Sequence, residues 1–205
     1  MFKIAVLVSG GGTNLQSIID NIEKGYLKNC CIECVISDRD NVYGLKRAEN
    51  KKIKTYVFDR KIYKDQISDE ILKVLENKVD LIVLAGWLSI LEGDLIDKFE
   101  NKIINIHPSL IPSFCGNGMY GIRVHQKAIE YGVKISGCTV HFVDQKTDNG
   151  PIIMQKVVPV FSKDTAESLQ KRVLEKEHMA LSEAIKLISE KKICVEGRKV
   201  TIMGE

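Results

Sequence analysis

The sequence predicts an α/β protein with a mostly parallel, twisted sheet covered by helices on both faces. Two observations carry the prediction. KIAVLV at 3 to 8, apolar from Ile4 onward, and Leu81 to Leu84 within DLIVLA are apolar runs of strand length, as expected of strands buried on both faces rather than on one. The segments between such runs show helical periodicity, and strands alternating with helices imply right-handed crossovers and parallel pairing.

The first run ends in glycines, and TNLQSIIDNIEKG after it places Leu15, Ile18, Ile19 and Ile22 on one helical face. The pattern then repeats. CCIECVIS precedes a helix near 42 to 51, KTYVF one near 62 to 77, and DLIVLA a short one near 92 to 100, before IINI. This order of elements is Rossmann-like. ISGCTVHFVD and PIIMQKVVPV then read as two long adjacent strands across a loop containing Asp-Asn-Gly, a hairpin or mixed-sheet signal. A last helix is expected from about 165 to 190, opened by Asp164 and Glu167 at capping-box spacing, with Leu169, Val173, Ala180, Leu181, Ala184, Ile185 and Ile188 on one side. No repeat or linker marks a second autonomous domain. One domain over 1–205 is therefore expected, with a nucleotide-binding half at about 1–100 and a catalytic half at about 101–205.

A chain of 205 residues with 44% hydrophobic content can fill a real core. Its formal net charge of +3 gives no strong drive toward nucleic acid or an anionic membrane. The apolar runs are far shorter than a membrane span, and Met1 leads into a strand without a signal-peptide pattern. These features suit a soluble, cytoplasmic protein acting on small molecules, with neither nucleic acid nor membrane as partner. They fit a monomer or a homodimer equally. Of six cysteines only Cys31 and Cys34 form a CxxC pair, with no second pair or nearby histidine to complete a zinc site. Their run reads better as a buried strand, so no metal is invoked.

Three motifs carry chemistry. Ser9-Gly10-Gly11-Gly12-Thr13-Asn14 lies where the first strand meets the first helix. Bare backbone N–H groups and a helix N-terminus favour a phosphate there, and Gly12 is expected to let the backbone approach it. A Walker loop fails for want of GK[ST], and GxGxxG fails at Leu15. Asp38 after the second strand keeps a dehydrogenase-like reading open, and a glycine turn serving packing alone is the plainer alternative. The second motif, Asn105-Ile106-His107-Pro108-Ser109-Leu110-Ile111-Pro112, sits at a strand end, where open α/β sheets place ligands. Period two puts the Asn105 and His107 side chains on one face, where both can donate to an oxygen gaining charge in acyl transfer. In the third, Thr139 to Pro151, Asp144 and Asp148 are both candidates to reach His107 and favour its charged form as an oxyanion donor.

Taken in order, SGGGTNLQSIID, VLAGWLSIL, NIHPSLIP and TVHFVDQKTDNGPII strongly resemble the phosphoribosylglycinamide formyltransferases over almost the whole chain. NIHPSL-P is shared by enzymes using 10-formyltetrahydrofolate, and the glycine loop narrows the resemblance. It implies the formyltransferase fold and transfer of a formyl group from 10-formyltetrahydrofolate, a co-substrate, to the amine of 5-phosphoribosylglycinamide in purine synthesis. Asn105, His107 and Asp148 become the catalytic residues. Gly11, Gly12, Thr13, Asn14 and Glu177 would bind the ribonucleotide. Lys64, Leu88, Ser89, Ile90, Leu91, Asn105, Val140, His141 and Asp144 would bind the folate.

The chain departs from the family pattern at several places. Leu88-Ser89-Ile90-Leu91 replaces Met-Arg-Ile-Leu, and Lys64 aligns with an arginine. Leu174 replaces a phosphate-side lysine or glutamine, leaving Arg172 or Lys176 to compensate, and SFCGNGMY at 113 to 120 replaces a Lys-Tyr/Phe-Pro-Gly stretch and could cover the site. Rival readings are formyltetrahydrofolate hydrolase, expected to carry an extra N-terminal domain, and methionyl-tRNA formyltransferase, expected to carry a basic C-terminal one. A nucleotide-binding regulatory module without chemistry, and a Cys115–His107 nucleophile, are more distant.

Overall fold

In a computed structural model, which describes residues 1–204, the chain divides into two compact units. One comprises Met1–Asn105 with Val143–Gln145, the other Ile106–Phe142 with the residues from Lys146 onward.

The first unit runs β1 (Phe2–Val8), α1 (Thr13–Glu23), β2 (Cys30–Ser37), α2 (Tyr43–Asn50), β3 (Lys54–Val57), α3 (Arg60–Tyr63), α4 (Ile67–Leu75), β4 (Leu81–Leu84), α5 (Asp94–Lys98) and the start of β5 (Ile103–His107). β1 pairs in parallel with β2 and β4, β2 with β3, and β4 with β5. Alternation along β1 divides its side chains between two helix layers. Ala5 and Leu7 join a core with Ile71 and Leu75 of α4 and Leu95 of α5, while Val8 on the other face meets Gly44 of α2. Both layers exclude water, which explains why β1 reads as an uninterrupted apolar run. Cys34 belongs to the α4 side of that core, and burial pushes its thiol up to about 11, so it behaves as a small hydrophobe. The helix expected near 62 to 77 is broken. Asp59 caps the short α3 by accepting from the Lys61 N–H, and Lys64 takes a positive φ of 46° before a 3-10 turn leads into α4.

The second unit holds α6 (Ile122–Tyr131), β6 (Ile135–Phe142), β7 (Ile152–Pro159), α7 (Ala166–Ser189) and a terminal hairpin, β8 (Ile193–Glu196) with β9 (Lys199–Ile202). β6 and β7 are antiparallel, with Gly137 opposite Val157; a Cβ at Gly137 would collide with the Lys156 carbonyl oxygen. α7 packs on both strands and on α6. Its cap is Thr165, which exchanges hydrogen bonds with Ser168, one residue later than the expected pairing. Asp164 instead binds Arg172 through two bonds of 2.7 and 2.8 Å, and the guanidinium holds that carboxyl well below its usual range. The full strand order is β3-β2-β1-β4-β5-β6-β7, a mostly parallel seven-stranded sheet with helices, as the sequence predicts. No helix among the described residues is long and apolar enough to cross a membrane.

Candidate active site

The glycine loop links β1 to α1, and Gly12 is the helix N-cap in the left-handed region at φ 68°. No side chain caps α1 and no acid lies in its first turn, so the positive end of its dipole is left without a carboxylate. Gly11 and Thr13 are exposed, whereas Asn14 is buried. The structure supplies its own reason for glycine at 12: a Cβ there would lie 2.8 Å from the Gly44 Cα. α2 docks on the loop through that bare contact and through Gly44 N–H donating to the Gly10 carbonyl at 3.0 Å. Arg47 of the same helix donates to the Gly11 carbonyl at 2.8 Å and to Gln16 at 2.9 Å. At Gly10 and Gly11, by contrast, a Cβ would meet nothing within 4 Å.

Asp38 does not present a ribose-binding carboxylate. It is fully buried, and its Oδ2 accepts from the Ser89 hydroxyl at 2.7 Å. In the segment expected to bind folate, Leu88 and Ile90 are exposed, while Leu91 packs into the core beside Trp87. Lys64 is exposed at the turn before α4.

In the second unit, His107 ends β5 and is buried. Asn105, two residues earlier on the same face, is half-buried. His107 Nε2 lies 2.9 Å from the Phe114 carbonyl, and Nδ1 lies 3.5 Å from Asp148 Oδ2. A carbonyl only accepts, so Nε2 carries a proton.

Asp148 adopts φ 52°, a region aspartate tolerates in turns. Turn chemistry alone does not account for its carboxylate. Oδ2 accepts from the Gly116 N–H at 2.8 Å, and Oδ1 lies 3.8 Å from His141 Nε2. Asp148 therefore stands between two histidines. His141, placed by the sequence reading on the folate wall, is buried beside this acid, with Nδ1 2.7 Å from the Phe142 carbonyl. Val140 is also buried, Asp144 is half-buried, and Glu177 is buried on α7. Arg172 is engaged with Asp164 and with the Pro159 carbonyl at 2.8 Å, and Lys176 is half-exposed.

The exit loop after His107 is stiffened by more than its prolines. The Thr139 hydroxyl donates to the Ser109 carbonyl at 2.7 Å and accepts from the Ile111 N–H at 3.1 Å. The Ser109 hydroxyl donates to the Ser113 carbonyl at 2.6 Å.

Three features escaped the sequence reading. The backbone of Phe114 and Gly116 touches both candidate catalytic side chains. His125 on α6 is buried with no hydrogen-bond partner at Nδ1, and burial, with the His107 charge nearby, pulls it down to about 4, so it is neutral at physiological pH. Its place beside Val124 and Ala128 on a buried helix face gives it the signature of a core residue. Arg47 stands 36 residues along the chain from the Gly11 carbonyl it reaches, so no sequence signal marks it. Among the described residues no group of three or more His, Cys, Asp or Glu could hold a metal ion, and the cysteines are free.

A buried imidazole held between a carboxylate and a backbone carbonyl, with an amide two residues before it, can stabilise an oxyanion and manage a proton. The comparison with known proteins decides the family: formyl transferase matches residues 2–185. The chain belongs to the formyl transferase family. It is 42% identical over 208 residues to phosphoribosylglycinamide formyltransferase of Haemophilus influenzae, covering 100% of this chain and 95% of that one. It is 44% identical over 190 residues to the trifunctional purine biosynthetic protein adenosine-3 of Gallus gallus, covering 91% of this chain but only 18% of that longer protein. Among solved structures, glycinamide ribonucleotide transformylase 1 from Symbiobacterium toebii matches with a TM-score of 0.92 at 41% identity, over 98% of this chain and 94% of that one.

Proposed function

We propose that this formyl transferase moves the formyl group of 10-formyltetrahydrofolate to the amine of 5-phosphoribosylglycinamide, as a step of purine synthesis in the cytoplasm. The observation that carries the reading is the His107–Asp148 pair at the end of β5, with Asn105 two residues before it. The amine lone pair attacks the formyl carbon, and the carbonyl π electrons move to oxygen. Asn105 and the His107 imidazolium donate to that oxyanion. The oxyanion collapses, the bond to the folate nitrogen breaks, and the proton lost by the amine ends on the leaving nitrogen. Asp148 holds the charge on His107 and serves that proton transfer.

The Nε2–H that donates to the Phe114 carbonyl is directed away from Asp148, and on substrate binding the formyl oxygen takes the place of that carbonyl. The loop from Gly10 to Thr13, with the start of α1 that no side chain caps, receives the phosphate. Gly11, Gly12, Thr13 and Asn14 are assigned to the ribonucleotide together with Glu177. Lys64, Leu88, Ser89, Ile90, Leu91, Val140, His141 and Asp144 are assigned to the folate.

The phosphate assignment gives a paired expectation. Gly11→Ala places its Cβ in open space, so the protein keeps its Tm while the ribonucleotide KM rises roughly tenfold or more, because the methyl meets only the bound phosphate. Gly12→Ala instead costs about 1–3 kcal/mol of stability, from its positive φ and the Gly44 contact. Thermal melts and initial rates on both variants check this; an unchanged KM in folded Gly11→Ala removes the phosphate from the loop.

The hydrolase reading is tested by incubating the chain with 10-formyltetrahydrofolate, with and without the ribonucleotide. The proposal expects turnover only with the acceptor. Formate released at the same rate without it would assign the chain to hydrolysis.

A further inference from the structure

The segment after β4 is fastened to three separate elements of the first unit. The Leu88 N–H donates to Ser9 Oγ at the end of β1 at 2.8 Å, and the Glu92 N–H to Ser68 Oγ on α4 at 3.0 Å. Between them the Ser89 hydroxyl donates to Asp38 Oδ2 at 2.7 Å, beyond the end of β2. Between the same anchors Leu88 and Ile90 stand 39% and 63% exposed, whereas Trp87 and Leu91 are in the core. Two large apolar side chains are thus held toward solvent on a backbone that has little freedom to fold them away.

Asp38 is the unusual anchor. Its carboxylate is fully buried, yet among the described residues Ser89 gives it its one hydrogen bond: Oδ1 has none, and the nearest guanidinium nitrogens, Arg39 Nε and Arg60 NH1, lie 3.9 Å away, too far to donate. A charge buried with so few partners is costly to keep, and its short, charge-assisted bond resists displacement more than a neutral bond would. The wide gap to both arginines leaves Ser89 as the group that the carboxylate orients.

Resting on the assignment of residues 88 to 91 to the folate wall, we infer that Asp38 is a positioning residue for the formyl donor, acting through Ser89 to hold the wall in its binding shape. Removing the anchor lets the segment relax in the free protein, and the ordering must then be done by the ligand. The effect falls on the folate and not on the ribonucleotide.

Trp87 immediately precedes the segment and is the one tryptophan of the sequence, so quenching of its fluorescence by tetrahydrofolate reads binding without turnover. Ser89→Ala and Asp38→Ala are each expected to weaken tetrahydrofolate binding about tenfold, with the ribonucleotide KM within about twofold of wild type. The double variant should bind no worse than either single one, because both remove one anchor. Asp38→Asn, whose amide oxygen still accepts the hydroxyl proton, should recover most of the affinity. Should Asp38→Ala fail to fold, Ser89→Ala carries the test. Equal binding by wild type and Ser89→Ala, or an equal rise in both substrate constants, overturns the inference. Failure of the wild-type chain itself to bind tetrahydrofolate would overturn the formyl-transfer reading beneath it.

Discussion

Asp148→Asn is expected to lower kcat by roughly 10²–10⁴, the range for losing a general acid/base group or the partner of an oxyanion donor, while both substrate affinities change far less. The substitution keeps the size of the side chain, and the amide oxygen can still accept from the Gly116 N–H. What disappears is the negative charge facing His107 Nδ1 and His141 Nε2. That charge matters more once the ring faces a developing oxyanion than in the resting protein, so the loss appears in kcat. Asp144→Asn is the internal control: the half-buried Asp144 is assigned to the folate wall and carries no proton, so its effect should be smaller and fall on the folate KM. Steady-state kinetics on the two variants check the assignment. A near-normal kcat in Asp148→Asn would mean that another acid does the work.

His107→Ala is the second large effect, a fall in kcat of about 10²–10³, as expected for removal of one preorganised oxyanion donor. Combined with Asp148→Asn, the loss should be well below the product of the two single losses, because Asp148 acts on the transition state through His107. The structure strengthens that expectation. One short loop touches both side chains, Phe114 through its carbonyl and Gly116 through its N–H, so the two substitutions act on a shared element and are not independent. Full multiplicativity in the double variant would separate the two residues into independent roles.

Much of the fold is legible in the sequence for a simple reason. β1 from Ile4 to Val8 and the whole of β4 are buried on both faces, so each of those positions is apolar and the runs stand out in the chain. α6 was hidden because its buried face is Val124, His125 and Ala128, too short and too polar to register as an apolar stripe next to a glycine-rich loop. The terminal hairpin turns at Gly197 and alternates only weakly between half-buried and exposed residues, which leaves little signal. The capping box shifted by one residue because Asp164 has a better partner in Arg172, eight residues on, than in the helix terminus.

The candidate site divides in the same way. Asn105 and His107 are legible from spacing, because period two follows from the strand itself. Asp148 needed the family pattern, since Asp144 is equally acidic and nearby in sequence. The groups that hold the pair in place, the Phe114 carbonyl and the Gly116 N–H, are backbone atoms, which every residue possesses and no side-chain pattern can mark. Gly12 shows the opposite limit. The loop pattern points to room for a phosphate, and the structure adds a packing duty against Gly44 that the sequence does not mark.

The most direct test of the account follows the formyl carbon itself. With an isotopically labelled formyl group on 10-formyltetrahydrofolate and 5-phosphoribosylglycinamide in excess, the product mixture is resolved by nuclear magnetic resonance. The account predicts that the label moves into the formamide of the ribonucleotide, one for each tetrahydrofolate formed, and that His107→Ala and Asp148→Asn slow this transfer without redirecting it. Label accumulating as free formate, or remaining on the folate while the wild-type protein binds both substrates, would contradict it.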